Sequence, residues 1–226
     1  MKILVLCAMV AELEGFLKKV KSEPIIVAGN TLHKAKINDN DIYFVKCGVG
    51  KVNAAMLTTT LILKLKPRYI INAGIAGGLN ENLPIYSIVA STKIYQHDMD
   101  LTTFGYDMGE LDDHTKYFEG SKKLLSLLDG DVIKGQMVSG DQFVATKEKL
   151  ELIKKNFKKA LTCDMEGSAI AQVCHFMSRK FLIIRCVSDN VFLQHKSESY
   201  SDEYYDAKPI AIAKVVDKTL DLISKL

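Results

Sequence analysis

The segment C-D-M-E-G-S-A-I-A-Q-V-C, Cys163 to Cys174, and the F-L-I-I-R-C-V-S-D that follows shortly after it, Phe181 to Asp189, set an amphipathic helix before a buried strand. Ala169, Ile170, Val173, Cys174 and Met177 recur at helical spacing, so Glu166 falls in the first turn of that helix, where its carboxylate is anchored. A Glu in a first turn also simply suits the helix dipole, so this residue alone decides nothing. Phe181 to Ile184 is a short apolar run bounded by charge, the pattern of a strand buried on both faces. It delivers Arg185, Ser188 and Asp189 near its carboxyl end, the edge at which open α/β sheets bind small molecules.

Outward from this unit the chain alternates strand and helix patterns. Ile3 to Leu6 predicts a strand, and Leu13, Phe16, Leu17 and Val20 form the stripe of a helix over Glu12 to Val20. Ile25 to Val27, Thr31 to Ile37 and Ile42 to Cys47 are strands separated by hairpin signals at Gly29-Asn30 and Asn38-Asp39-Asn40, so the sheet is mixed. Lys51 to Lys64 predicts a helix ended before Pro67, and Tyr69 to Asn72 a strand that runs into G-I-A-G-G from Gly74. Strands over Ile85 to Ala90 and Val132 to Val138, and helices over Ser121 to Leu128, Lys147 to Phe157 and Ile210 to Ile223, complete the series. The expected fold is α/β: one domain over residues 1–226, with a central mixed sheet flanked by helices in three layers.

A chain of 226 residues with 48% hydrophobic content can bury a full core. Its net charge of +3 comes mostly from lysines spread over helical patterns without interleaved aromatics, which reads as solvated helix faces and not a nucleic-acid surface. Five scattered cysteines, mostly in apolar runs and with no C-x-x-C pair, argue against a disulfide framework and for a reducing cytoplasm. The histidines lack H-x-x-x-H or H-E-x-x-H spacing, so a metal site has no support, and no cofactor is implied. No signal-peptide pattern or membrane-length apolar run is present, so no membrane association is expected.

Two glycine-bearing segments bear on phosphate binding. Gly48-Val49-Gly50-Lys51 follows a strand and opens a helix, but the spacing between its glycines is too short for a P-loop and Val52 follows the lysine. Asn53 likewise breaks the dinucleotide fingerprint. Gly74 to Gly78 suits either close approach of backbone amides to a neutral ligand or a tight turn only.

Several segments together resemble one family. A-M-V-A-E-L-E from Ala8, G-V-G-K-V-N-A-A from Gly48, I-I-N-A-G-I-A-G-G-L from Ile70, H-D-M-D-L-T-T-F-G-Y from His97, V-S-G-D-Q-F-V from Val138, D-M-E-G-S-A-I-A from Asp164 and R-C-V-S-D from Arg185 occur in family order over nearly the whole chain. The sequence resembles the methylthioadenosine/S-adenosylhomocysteine nucleosidases of the purine nucleoside phosphorylase superfamily. The resemblance implies a nucleoside phosphorylase-like fold and hydrolysis of an N-glycosidic bond. That reaction needs a proton for the departing purine and a deprotonated water on the far side of a sugar with oxocarbenium character, tasks suited to two carboxyl groups of opposite protonation.

By that resemblance Asp189 is the general acid toward purine N7, helped by burial beside Ser188, and Glu12 is the base that activates water. Glu12 would otherwise read as a solvated first-turn Glu. Glu166 and the Met165 backbone match the group that holds the ribose hydroxyls, with Arg185 near that carboxylate. Phe143 would stack on the purine and the Val144 backbone would read its Watson-Crick edge. Met9, Val49, Ala76 and Gly77 would line the ribose and 5' side. Phe104 and Tyr106 resemble residues that a second subunit contributes, which implies a homodimer with shared sites.

A phosphorylase of the same fold would need arginines near the N-terminal turn and before the G-x-x-G turn. Here Asn72 and Ala73 precede Gly74, and Glu12 would repel phosphate. Water is therefore the expected nucleophile, with phosphate-dependent cleavage, aminofutalosine hydrolysis and non-catalytic nucleoside binding as the alternatives. Two positions depart from the family pattern: Ile75 stands where Ser is usual, and Ser201 where a pocket Phe is expected, with Tyr200 one residue away as its substitute.

Overall fold

The computed structural model describes residues 1–190 and 200–226, the side chains of 200–204 excepted. Ten strands alternate with six helices in these residues. The first half comprises β1 (Lys2–Cys7), α1 (Val10–Leu17), β2 (Glu23–Val27), β3 (Asn30–Ile37), β4 (Asn40–Lys46), α2 (Lys51–Leu65), β5 (Tyr69–Gly78) and β6 (Ile88–Gln96). The second half comprises a 3-10 turn (Thr102–Phe104), β7 (Phe118–Glu119), α3 (Lys122–Leu127), β8 (Ile133–Ser139), α4 (Lys147–Asn156), β9 (Ala160–Asp164), α5 (Gly167–Phe176), β10 (Lys180–Asn190) and α6 (Tyr200–Ser224).

The sheet is mixed, as the hairpin signals predict. β1 lies parallel between β4 and β5, and β2 to β4 form an antiparallel meander at one edge. At the other side β5 pairs with both β9 and β10, while β10, β6, β8 and β9 follow one another, so these five strands close on themselves. Alternation along β1 shows how the layers are made. Ile3, Val5 and Cys7 pack with Phe16 of α1 and with Ala211, Ile212, Val215 and Val216 of α6. Leu4 and Leu6 point the other way, onto Leu57, Leu61 and Ile62 of α2 and Ile170 and Cys174 of α5.

Three sequence expectations are corrected. G-I-A-G-G is not a turn: it forms the carboxyl-terminal half of β5, which runs past Asn72 to end at Gly78, because Gly74 to Gly78 pair with Arg185 to Asn190 of β10. The strand expected from Ile85 starts at Ile88 and runs to Gln96. The helix expected over Glu12 to Val20 spans Val10 to Leu17, so Glu12 lies in its first turn without opening it. The five-residue strand β9 had no alternating pattern of its own to mark it, and ladders to β8 and β5 hold it in place.

Candidate active site

Glu12 is the first surprise for a residue that composition alone would leave in solvent. It is 2% exposed. One carboxylate oxygen accepts the N–H groups of Ala8 (3.0 Å) and Met9 (2.9 Å) at the start of α1, and the other accepts the Ile75 N–H of β5 (3.0 Å). The first pair satisfies donors that a helix N-terminus leaves open. The third bond ties α1 to the glycine-rich strand. A Cβ at Gly74 would overlap Glu12 Oε1 and lie 3.1 Å from its Cδ, so only glycine lets the carboxylate settle there. Burial pushes the Glu12 carboxyl above its usual range, partly opposed by the Arg185 guanidinium and by the N–H bonds from Met9, Ile75 and Ala8.

Asp189 faces the same strand from β10. The ladder pairs Val187 with Ala76 and Asp189 with Gly77, leaving Ser188 as the extra residue of a β-bulge. The bulge re-aims the strand where side chains of consecutive residues must both reach one cavity. Ser188 Oγ donates to Asp189 Oδ1 at 2.5 Å and also lies 3.4 Å from the Ala76 carbonyl. Both side chains are buried, and a Cβ at Gly77 would come within 3.2 Å of Asp189 Oδ2. The two carboxylates of Glu12 and Asp189 thus each stand against a glycine of one strand, three residues apart in sequence.

Asp164, which the sequence reading did not single out, organises the third wall. Its Oδ1 accepts the N–H groups of Glu166 (3.1 Å) and Gly167 (2.9 Å) and the Ser139 hydroxyl (2.5 Å), and its Oδ2 accepts Arg185 Nε (2.8 Å). Asp164 therefore caps α5, and Glu166, at the cap position itself, is released from that task. Glu166 Oε1 instead accepts the Gly50 N–H at 2.9 Å. Burial, with the Asp164 charge beside it, pushes its carboxyl up to about 7, against the opposing pull of Arg185 and Gly50. The signal for Asp164 was present as a carboxylate ahead of a helix start, but a reading that put Glu166 in the first turn concealed it.

Arg185 was expected near the Glu166 carboxylate and the ribose. The structure places it under the cavity, 1% exposed, paired to Asp164 and bonded to the Asn72 side chain and to the carbonyls of Asn72 and Ile184. It is absent from the cavity lining. Its charge balances the surrounding carboxylates from below, the arrangement a buried cation needs.

These walls enclose a cavity of about 260 Å3. Of the residues singled out in the sequence, Met9, Glu12, Val49, Ala76, Gly77, Phe143, Val144, Met165, Glu166, Ser188 and Asp189 line it together. Ile75 also lines it, and Ala8, Gly78, Leu79, Gln142, Cys163 and Asp164 are additions. Val49 and Phe143, each about half exposed, face solvent as well as the cavity. Phe104 and Tyr106 do not line it: Phe104 is 77% exposed, and Tyr106 stacks on His114 at 5.0 Å and bonds the Asp112 carbonyl. The Tyr200 side chain lies outside the described residues. Among the described residues the lining carries four carboxylates and no lysine, arginine or histidine side chain. Such a lining disfavours an anion and favours a neutral, hydroxyl-bearing ligand on which positive charge develops.

The family model of the phosphorylase superfamily matches residues 2–223. The chain is 32% identical over 225 residues, 96% of either protein, to the 5'-methylthioadenosine/S-adenosylhomocysteine nucleosidase of Desulfotalea psychrophila. Among solved structures it superposes with a TM-score of 0.90 and 30% identity on the nucleosidase of that name from S. pneumoniae, solved with the transition-state inhibitor MT-ImmA; 99% of each chain is covered. It superposes equally, with a TM-score of 0.90 and 34% identity over 99% of this chain and 100% of the other, on a Borrelia burgdorferi structure bound to adenine. The chain belongs to the phosphorylase superfamily and, within it, to the 5'-methylthioadenosine/S-adenosylhomocysteine nucleosidase family.

Proposed function

We propose that this protein hydrolyses the N-glycosidic bond of 5'-methylthioadenosine and S-adenosylhomocysteine, releasing adenine and the 5'-substituted ribose. The observation that carries the proposal is that Glu12 and Asp189 line one cavity from two different elements, each seated against a glycine of β5. A hydrolase of this kind needs a base for water and an acid for the purine. Glu12 takes the first role: its carboxylate is held by three N–H groups and is raised by burial toward a basicity useful for deprotonating water. Asp189 takes the second. Asp189 Oδ1 accepts the Ser188 hydroxyl at 2.5 Å, so the proton that Asp189 gives the purine is carried on Oδ2.

Glu166 accepts hydrogen bonds from the ribose hydroxyls in this reading, beside the Met165 backbone, and these bonds strengthen as the sugar becomes cationic. Phe143 stacks on the adenine and the Val144 backbone reads its edge. Arg185 serves from below by holding Asp164, which fixes the start of α5 and so the place of Glu166. Met9, Val49, Ala76 and Gly77 form the ribose and 5' side. Residues 1–226 act as one domain in this account, and the reaction serves methionine salvage in the cytoplasm; none of the described helices is long and apolar enough to cross a membrane.

The active form is a homodimer. Support comes from an apolar groove between α2 and α5, which includes Val52, Ala55, Val173, Phe176 and Met177, and from the exposed Phe104, which has no role in its own cavity. Phe104 and Tyr106 then complete the neighbouring site.

Water, not phosphate, is the nucleophile, since a dianion would meet the Glu12 carboxylate and no lining cation among the described residues. The test is adenine release from 5'-methylthioadenosine with and without inorganic phosphate. Equal rates with free 5-methylthioribose are expected, and a strict phosphate requirement with a ribose 1-phosphate product would overturn the reading.

A further inference from the structure

Three loops meet beside the cavity without lining it through their charged groups. Lys51, the first residue of α2, donates its backbone N–H to Asp141 Oδ1 at 2.7 Å. Asp141 donates its own N–H to Asp98 Oδ2 at 2.8 Å. Asp98 Oδ1 in turn accepts Lys51 Nζ at 2.7 Å, which closes a ring of three residues from three distant parts of the sequence. Lys51 Nζ also lies 3.3 Å from Gln96 Oε1 at the end of β6, and Gln96 Nε2 donates to Gln172 of α5 at 2.7 Å.

Each side of the ring is one or two residues from a group that the nucleosidase reading uses. Gly50, immediately before Lys51, donates the N–H that Glu166 accepts. Its φ of +96° is one that L side chains rarely adopt, and a Cβ there would also stand 3.2 Å from Asp141 Oδ1. Two successive N–H groups at the start of α2 therefore go to two carboxylates, Glu166 in the cavity and Asp141 in the ring, where the helix N-terminus favours negative charge. On the other side, Asp141 leads directly into Gln142, Phe143 and Val144, all of which line the cavity.

We propose that Asp98 is a positioning residue of the site, which by closing the ring with Lys51 and Asp141 fixes the Gly50 N–H on Glu166 and the Phe143-Val144 segment over the cavity together. A carboxylate is the group that fits, because two donors, an ammonium and a backbone N–H, must each find an acceptor oxygen. Partial burial acts to raise the Asp98 carboxyl, but the bonds from Lys51 and the Asp141 N–H more than offset it and hold it below its usual range. An Asn at this position presents one oxygen and one NH2, so one donor is left facing another donor.

The proposal rests on the nucleosidase reading for part of its assay. Asp98→Asn is expected to raise the dissociation constant for adenine, measured by calorimetry, about tenfold and to lower kcat on 5'-methylthioadenosine by a similar factor. The kcat loss is expected to vanish to within about twofold when Glu166 is already Ala, which removes the acceptor of the Gly50 N–H, because Asp98 acts on turnover through Glu166. Asp98→Glu, which keeps both oxygens, restores part of the loss. Lys51→Met, which removes the ammonium arm and keeps the backbone N–H, gives the same direction and serves if Asp98→Asn does not fold. A fall in unfolding temperature with adenine affinity and kcat unchanged would overturn the proposal, as would kcat losses of Asp98→Asn and Glu166→Ala that multiply. Failure of the wild type to release adenine counts against the nucleosidase reading instead, and the adenine affinity still reads the ring in that case.

Discussion

Replacing Glu166 by Gln is expected to make the protein more stable near neutral pH while it damages the site. Glu166 is buried and its carboxyl rises from 4.5 to about 7 on folding. The native state therefore holds a proton that the unfolded chain releases. Stability from this group is complete below the unfolded value, is lost as pH rises through the folded one, and is gone above it. The rise of roughly 2.5 pK units at about 1.4 kcal/mol each corresponds to about 3 kcal/mol at pH 8. Gln carries no such penalty and keeps an oxygen for the Gly50 N–H. For a chain of this length about 3 kcal/mol is worth about 6–12 °C in Tm. The assay is thermal unfolding of wild type and Glu166→Gln at about pH 5 and about pH 8, since only the difference between the two proteins isolates this group. The variant is expected to match the wild type at the lower pH and to exceed it at the higher. A Tm difference that is the same at both pH values would refute the reasoning, and so would a variant less stable than the wild type at the higher pH.

The other predictions concern the two carboxylates. Gly74→Ala places a methyl group on the Glu12 carboxylate, while Gly77→Ala only presses on Asp189 Oδ2 at 3.2 Å. Steady-state kinetics are expected to show kcat/KM falling about a hundredfold for the first and much less for the second; equal losses would count against Glu12 as the base. Because burial raises the Glu12 carboxyl and the base must be ionised, kcat/KM is expected to fall on the acid side with a midpoint above the ordinary glutamate value. A pH profile flat down to the ordinary value would contradict that role.

Much of this site was legible in the sequence because its residues lie in short segments with local meaning. Glu166 before an apolar stripe and Asp189 at the end of an apolar run announce a helix start and a strand's carboxyl end, and the structure puts both in one cavity. Glu12 could not be told from a solvated residue by pattern alone, since its burial is produced by Ile75 and Gly74, more than sixty positions away. The same reason leaves G-I-A-G-G open in the sequence between a turn and backbone that faces a ligand. Its glycines suggest a turn until the partner strand β10 is known to run beside them. Asp164 and Arg185 show a subtler limit: both were in view, but which carboxylate the arginine pairs with depends on the closure of β5, β9 and β10, a tertiary fact. Nothing local to Asp98 connects it to Lys51 or Asp141.

In the proposed reaction an acid and a base act from opposite elements on one bound nucleoside. The most direct test is a single-turnover measurement of adenine release from 5'-methylthioadenosine by Asp189→Asn and by Glu12→Gln, with substrate binding measured on the same samples. Both variants are expected to bind the nucleoside while release falls about a thousandfold or more. Release near the wild-type rate from either variant would contradict the account.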